Sequence, residues 1–365
     1  MTSPITFIQV QQRIEENQLR YEILELQDGV FVVVLELGGR ILGPFLTEEA
    51  ASITWFNDVW ADADAFSAYI AAREWNLGGE RIWISPEIQY SVRDRNDFWG
   101  TIAIPQAVDP GTYTLESDAG NECRLSQRCT LQAYNLATGS KTLDIERSIR
   151  PAANPLQALP NRQELMEDVV YAGYEHTLIL SETEHNEIMS EGWNVLQLNP
   201  GGEIWMPASP ELEYNDYFAP VDDAHQFIDR DSGTVRLKIS GRKQFKVGYK
   251  AVHLYGRLGY LNHLDDGRSY LLVRNYFNNP SVPYVEEPPH SPGCNGHSVH
   301  VYNDGGDFGG FGELEVMAQT IGGETGRSAS TDPFLLWLFV GPDPRIKRLA
   351  RYLLGVPLNT SSFPA

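Results

Sequence analysis

Residues 294–319 read CNGHSVHVYND, then a Gly-rich tip that runs on through GGDFGGFG, then ELEVMAQ. The pattern predicts a β-hairpin. One strand presents His300 and Tyr302, the next Glu313 and Glu315 with Leu314 and Val316 between them. Side chains alternate faces along a strand, so the two carboxyls share one face and the two aliphatic residues the other. Two carboxyls beside a strand bearing His and Tyr suit a polar pocket for hydroxyl-rich ligands and acid–base chemistry.

The same punctuation extends outward. Residues 21–45 read as strand, Asp28-Gly29 turn, strand, Gly-Gly, strand, and Asp-Gly between β-rich runs is a hairpin signal. Short runs split by turn residues continue through 110–150, HTLIL (176–180), WNVLQL (193–198), IWMP (204–207), QFKVGYK (244–250) and LLWLFVG (335–341). Residues 7–19 carry a weak amphipathic helix pattern, and 160–172 fit a short helix or a strand. The segment DPRIKRLARYLLG (343–355) predicts a helix whose apolar face carries Ile346, Leu349 and Leu353. Strand-sized runs dominate from about 20 to 340 without βαβ alternation. The expectation is all-β: a large antiparallel β-sandwich over residues 1–365 as a single domain, with a few short helices including the C-terminal one.

The chain has 28 basic and 49 acidic residues, a net charge of −21. No basic stripe suits a phosphate backbone, so nucleic acid and anionic membrane surfaces are not expected partners. Three cysteines, Cys123, Cys129 and Cys294, make no disulfide framework. No secretory signal or membrane-length apolar run is apparent, and a cytoplasmic location is the default. His290, Cys294, His297 and His300 have metal-ligand types at short spacing, but strand alternation sends His297 and His300 to opposite faces. The loop DYFAPVDDAH (216–225) lacks EF-hand spacing. Neither metal nor cofactor is expected, and no P-loop, GxGxxG, GxSxG or HExxH motif is present.

The ordered set GGRILGPF (38–45), NLGGERIWISPE (76–87), NPGGEIWMP (199–207), HVYND (300–304) and GELEVMAQ (312–319) resembles the galactose mutarotase-like superfamily, the aldose 1-epimerases and their uncharacterised relatives. That resemblance implies a β-supersandwich. It also implies a mono- or oligosaccharide as ligand, with ring-opening epimerisation as the activity. It gives Glu315 as the base, Arg81 as a sugar contact, and His300 in place of a Gln. The chain departs from the family where a catalytic His is expected: GWNVLQL (192–198) puts Trp193 and Asn194 there, and DFWGT (97–101) has no His. All eight His lie at or beyond residue 176. The candidate catalytic set is therefore Glu315 with His300 or His176 as acid. Arg81, Glu313, Trp193, Trp99, Asp97 and Asp216 are the candidate substrate contacts. Of the clustered tryptophans, Trp83 is expected in the core and one of Trp60, Trp75 or Trp99 in a cleft, where a ring face packs the C–H face of a sugar. The alternative is a non-catalytic carbohydrate-binding or scaffold protein that keeps the fold without the His.

Overall fold

The structure, a computed structural model, describes residues 4–118 and 121–355. Two antiparallel sheets face each other. The nine-stranded sheet runs, edge to edge, Tyr21–Glu25, Phe31–Leu35, Arg40–Phe45, Glu80–Ser85, Glu191–Leu198, Gly312–Met317, His297–Asn303, Phe245–Lys250 and Tyr214–Asp216. The ten-stranded sheet runs Gln226–Asp229, Thr234–Lys238, Glu203–Pro207, Arg257–His263, Ser269–Tyr276, Ala329–Gly341, Val170–Glu182, Gly139–Pro151, Glu122–Ala133 and Thr114–Asp118. This is the expected supersandwich. The hairpin at 297–317 forms as read, with His300 opposite Glu315 and Tyr302 opposite Glu313.

The two sheets differ in how their outer faces are covered. In Glu122–Ala133 burial alternates strictly: Cys123, Leu125, Cys129 and Leu131 face inward while Arg124 and Arg128 meet water. Such a strand is half solvated, as antiparallel sheets allow. Cys123 and Cys129 lie six strand positions apart, roughly 20 Å, too far to bridge, and all three thiols are free. The central strands Glu191–Leu198, His297–Asn303 and Gly312–Met317 are instead buried at every position. Their inner side chains, such as Leu196, Val301 and Leu314, fill the core. Their outer side chains lie beneath irregular segments.

The helices close the remaining surfaces. Phe7–Glu16 begins with a Thr6–Gln9 capping box and buries Phe7, Val10 and Ile14; such a cap stabilises a helix by about 1 kcal/mol. Asp343–Leu354 buries Ile346, Leu349 and Leu353 against the ten-stranded sheet. The ambiguous 160–172 resolves into one turn, Arg162–Leu165, before the strand at Val170. No helix among the described residues is long and apolar enough to cross a membrane.

Candidate functional site

Directly opposed residues on neighbouring strands share a face. Arg81, Val195, Glu315, His300 and Gly248 form one such row across the nine-stranded sheet. Trp83 and Trp193 flank it on one side, and Gln197, Glu313, Tyr302 and Lys246 on the other. All of these point outward. Segments around Trp75, Phe98–Ile104, Phe218 and Phe308–Phe311 then cover them, leaving a pocket of about 270 Å³. That is near the lower end of the roughly 300–1,000 Å³ usual for small-molecule sites. Glu87, Lys246, Glu313 and Glu315 supply its polar groups, and the rest of the wall is mostly aromatic.

The aromatic wall is held in place by hydrogen bonds. Asp304 Oδ2 accepts backbone N–H groups from Gly306 (3.0 Å), Phe308 (3.1 Å) and Gly310 (2.8 Å). Asn76 donates to the Phe308 carbonyl (2.9 Å). Gly309 has φ +121°, and a Cβ there would sit 2.6 Å from the Trp55 ring, so only glycine lets the tip pack this closely. Trp99 and Phe308 stay 54% and 43% exposed, which places them at the rim.

Electrostatics divides the floor of the pocket. Arg81 donates to Glu313 Oε1 (2.8 Å) and lies 4.0 Å above the Trp83 ring. Asp109 accepts from Arg40 (2.8 Å) and the Trp83 indole (2.9 Å) behind it. Lys246 donates to Glu87 (3.1 Å) and sits 4.3 Å above the Trp193 ring. Glu315 Oε2 accepts the Trp193 indole N–H (3.0 Å). Lys246 Nζ is 3.7 Å from that carboxyl, beyond hydrogen-bond reach, so its pull is the weaker influence. Burial raises Glu315 above the usual carboxylate range; Lys246 opposes this, while Glu313, Glu87 and Glu286 add to it. Glu315 therefore keeps a proton near neutrality.

His300 stands opposite Glu315 but does not line the pocket. Its ring is fully buried. The contacts assign one chain of donors. His297 Nε2–H donates to Asn215 (2.8 Å), Tyr217 O–H donates to His297 Nδ1 (3.2 Å), and His300 Nε2–H donates to the Tyr217 oxygen (2.8 Å). Burial, with Lys246 and His297 nearby, holds His300 well below its usual range, so it is neutral. Gly248 makes room: a Cβ there would lie 2.7 Å from both the His300 and Tyr217 rings. His297 and His300 do not alternate as the strand pattern predicts, because Ser298 is left over between the pairs His297–Lys250 and Val299–Tyr249. That bulge turns both rings toward Tyr217.

His176 is on the other sheet and faces the core. It donates Nδ1–H to Glu80 (2.6 Å) and accepts from Arg147 (2.9 Å) at Nε2. Burial and Arg147 lower it to about 4 against the opposing pull of Glu80. Glu80 also pairs with Arg274 (2.6 Å) and accepts from Tyr174 and Asn194. The nine-stranded sheet itself separates His176 from Glu315, so His176 cannot serve as the pocket's acid.

Glu313, Glu315, Trp193 and Trp99 thus come together, with Arg81 directly behind Glu313. Asp97 is exposed beside the Phe98–Thr101 turn, and Asp216 caps its own loop through Val221 N–H (3.0 Å); neither lines the pocket. Trp83 packs in the main core, as expected, and its ring also reaches the pocket wall beside Trp75 and Trp99, whereas Trp60 is fully buried against Phe56 and Phe66. Sequence reasoning missed Lys246, Glu87, Phe218, Phe308 and Phe311. For the last two the signal was their place in the Gly-rich tip.

Residues 6–362 match a family described as a family of unknown function (DUF6786), and the chain belongs to it. No curated protein sequence matches the chain. Solved structures resemble it at low identity. A putative aldose 1-epimerase from Escherichia coli K12 is 10% identical, with 88% of this chain and 99% of that chain covered and a TM-score of 0.47. A galactose mutarotase-like protein from Lactobacillus casei is 9% identical, with 88% and 99% covered and a TM-score of 0.42. A GalM/aldose epimerase homologue from C. elegans is 9% identical, with 89% and 100% covered and a TM-score of 0.38.

Proposed function

We propose that this member of the DUF6786 family binds a saccharide in the pocket on the outer face of its nine-stranded sheet. One observation carries the proposal: a small pocket with aromatic walls has two carboxyls, Glu313 and Glu315, side by side on its floor. Ring faces pack sugar C–H groups, and carboxyls take hydroxyl hydrogen bonds in defined directions.

Ring opening is a second reading, favoured by the contrast between the two carboxyls. Glu315 keeps its proton, while Glu313 is ion-paired with Arg81. Anomer interconversion needs a donor to the ring oxygen and an acceptor for the C1 hydroxyl proton, and a buried carboxyl that keeps its proton beside one held in an ion pair suits those roles. The acid–base pair of this reading is Glu315 and Glu313, because neither His176 nor His300 reaches the pocket. Exchange NMR on a panel of aldoses tests both readings. Accelerated anomer exchange that is lost in Glu315→Gln supports catalysis. Saturable binding with an unchanged exchange rate supports the binding protein alone. No binding of any aldose or amino sugar refutes the saccharide proposal.

A further inference from the structure

The charges around the pocket do not balance. Six buried carboxyls form one connected set: Asp109, Glu313, Glu315, Glu87, Glu286 and Glu191. Among the described residues three buried cations, Arg40, Arg81 and Lys246, accompany them. Arg40 and Arg81 pair with Asp109 and Glu313, and Lys246 with Glu87. Lys246 also lies 3.7 Å from Glu315, so one cation is shared by two carboxyls, and Glu286 and Glu191 have no cation of their own among the described residues. Glu286 and Glu191 share Ser85 (2.6 and 3.1 Å) and are sealed beneath the 282–289 segment, out of reach of a ligand. Glu315 lines the pocket. Its Oε2 takes the Trp193 indole, and among the described residues no hydrogen bond reaches Oε1.

The aromatic faces point the same way. Arg81 and Lys246 already cover Trp83 and Trp193. Arg81 also lies 5.3 Å from the Trp75 ring centre, and Trp99, Phe218 and Phe308 remain around the cavity. Aromatic faces around a carboxyl that only shares its one cation, Lys246, with Glu87 are what a desolvated cation requires. A carboxylated or phosphorylated ligand would find both local cations committed to ion pairs.

We propose that the ligand is an amino sugar whose protonated amine sits between Glu315 and the aromatic wall. This deepens the saccharide reading and rests on it. The ammonium keeps its proton. Glu315 releases its own to solvent and becomes the counter-ion, so one proton leaves for each ligand bound. Glu315 is faced by Lys246 and His300 on its own sheet, by Glu313 on its own strand, and by Glu87, Glu286 and Tyr217 from the covering segments. His300 and Tyr217 stay neutral throughout, and burial is what keeps Glu315 protonated before the ligand arrives.

Calorimetry on the full chain tests this with glucosamine, galactosamine and mannosamine, each against its parent hexose and its N-acetyl derivative, in two buffers of different ionisation enthalpy. The expected result is at least tenfold tighter binding of one amine than of its two neutral partners, about 1.4 kcal/mol. Its enthalpy should change between buffers by the amount one released proton requires. Glu315→Gln, checked for folding by its unfolding transition, should erase both effects. The buffer comparison on the unaltered protein stands even if the variant fails to fold. Equal binding of amine and parent hexose, or no buffer dependence, overturns the amine while leaving the saccharide reading intact. Choline binding more tightly than every sugar overturns the sugar and keeps the cation. Binding of none of the compounds overturns both.

Discussion

Glu191 offers a sharp test of the buried charge excess, because its proton should be visible in folding stability. Its carboxyl is fully buried at the start of the 191–198 strand. It accepts from Thr320 (2.9 Å), Ser85 (3.1 Å) and the Glu286 backbone N–H (3.1 Å), yet no cation pairs with it among the described residues. Burial, reinforced by Glu286 and only partly offset by these donors, lifts it from 4.5 to about 8. The sign follows from proton counting. Below about pH 4.5 both folded and unfolded chains hold this proton, and the group contributes no pH dependence. Between about pH 4.5 and 8 the unfolded chain has lost it and the folded chain keeps it. Stability therefore falls as pH rises through that window, at roughly 1.4 kcal/mol per pH unit, with a ceiling of about 5 kcal/mol.

The substitution Glu191→Gln removes this titration and keeps the shape. At pH 5 it should be the less stable protein by about 1–2 kcal/mol, because the amide N–H₂ opposes an N–H group that the carboxyl oxygen accepted. Burial also raises Glu315 and Glu286, so both proteins lose stability with rising pH; wild type carries one titrating group more and falls more steeply, by roughly 1.4 kcal/mol per pH unit, so the two curves cross near about pH 6 and the variant is the more stable at pH 8. Guanidinium unfolding at half-unit pH steps, with the slope of each transition checked for constancy, measures this directly. Parallel curves with no crossing would refute the proton count and, with it, the claim that carboxyls outnumber their partners behind the pocket.

Two further substitutions probe other parts of the molecule. Arg274→Met removes the cation that Glu80 holds at 2.6 Å in the core, and an orphaned buried carboxylate should lower stability by about 3–5 kcal/mol; adding Glu80→Gln should recover part of this, and a loss below about 1 kcal/mol would show the pair is dispensable. Asp304→Ala deprives three backbone N–H groups of their acceptor at the Gly-rich tip; stability should fall by about 1–3 kcal/mol and ligand affinity by tenfold or more as Phe308 and Phe311 lose their position, whereas unchanged affinity would remove the tip from the binding site.

The sandwich was legible because strand alternation is local. Leu314 and Val316 must share a face, and that face fills the core whatever the rest of the chain does. The pairing of His176 with Glu80 was not legible, since it joins residues 96 positions apart across two sheets and nothing near YEHTLIL announces it. Lys246 was hidden differently. Its alternation with Phe245, Val247 and Tyr249 is the pattern of a solvated outer face, and alternation cannot say whether such a face meets water or a covering segment. The tryptophans carried the missing information. Trp83 and Trp193 have the same parity as Arg81 and, across the ladder, as Glu315. Two neighbouring indoles on the face that also carries the charged groups would expose a large apolar area if that face were bare. Such a face must be roofed, and a roof over mixed aromatic and carboxyl side chains that cannot pack flush encloses a pocket.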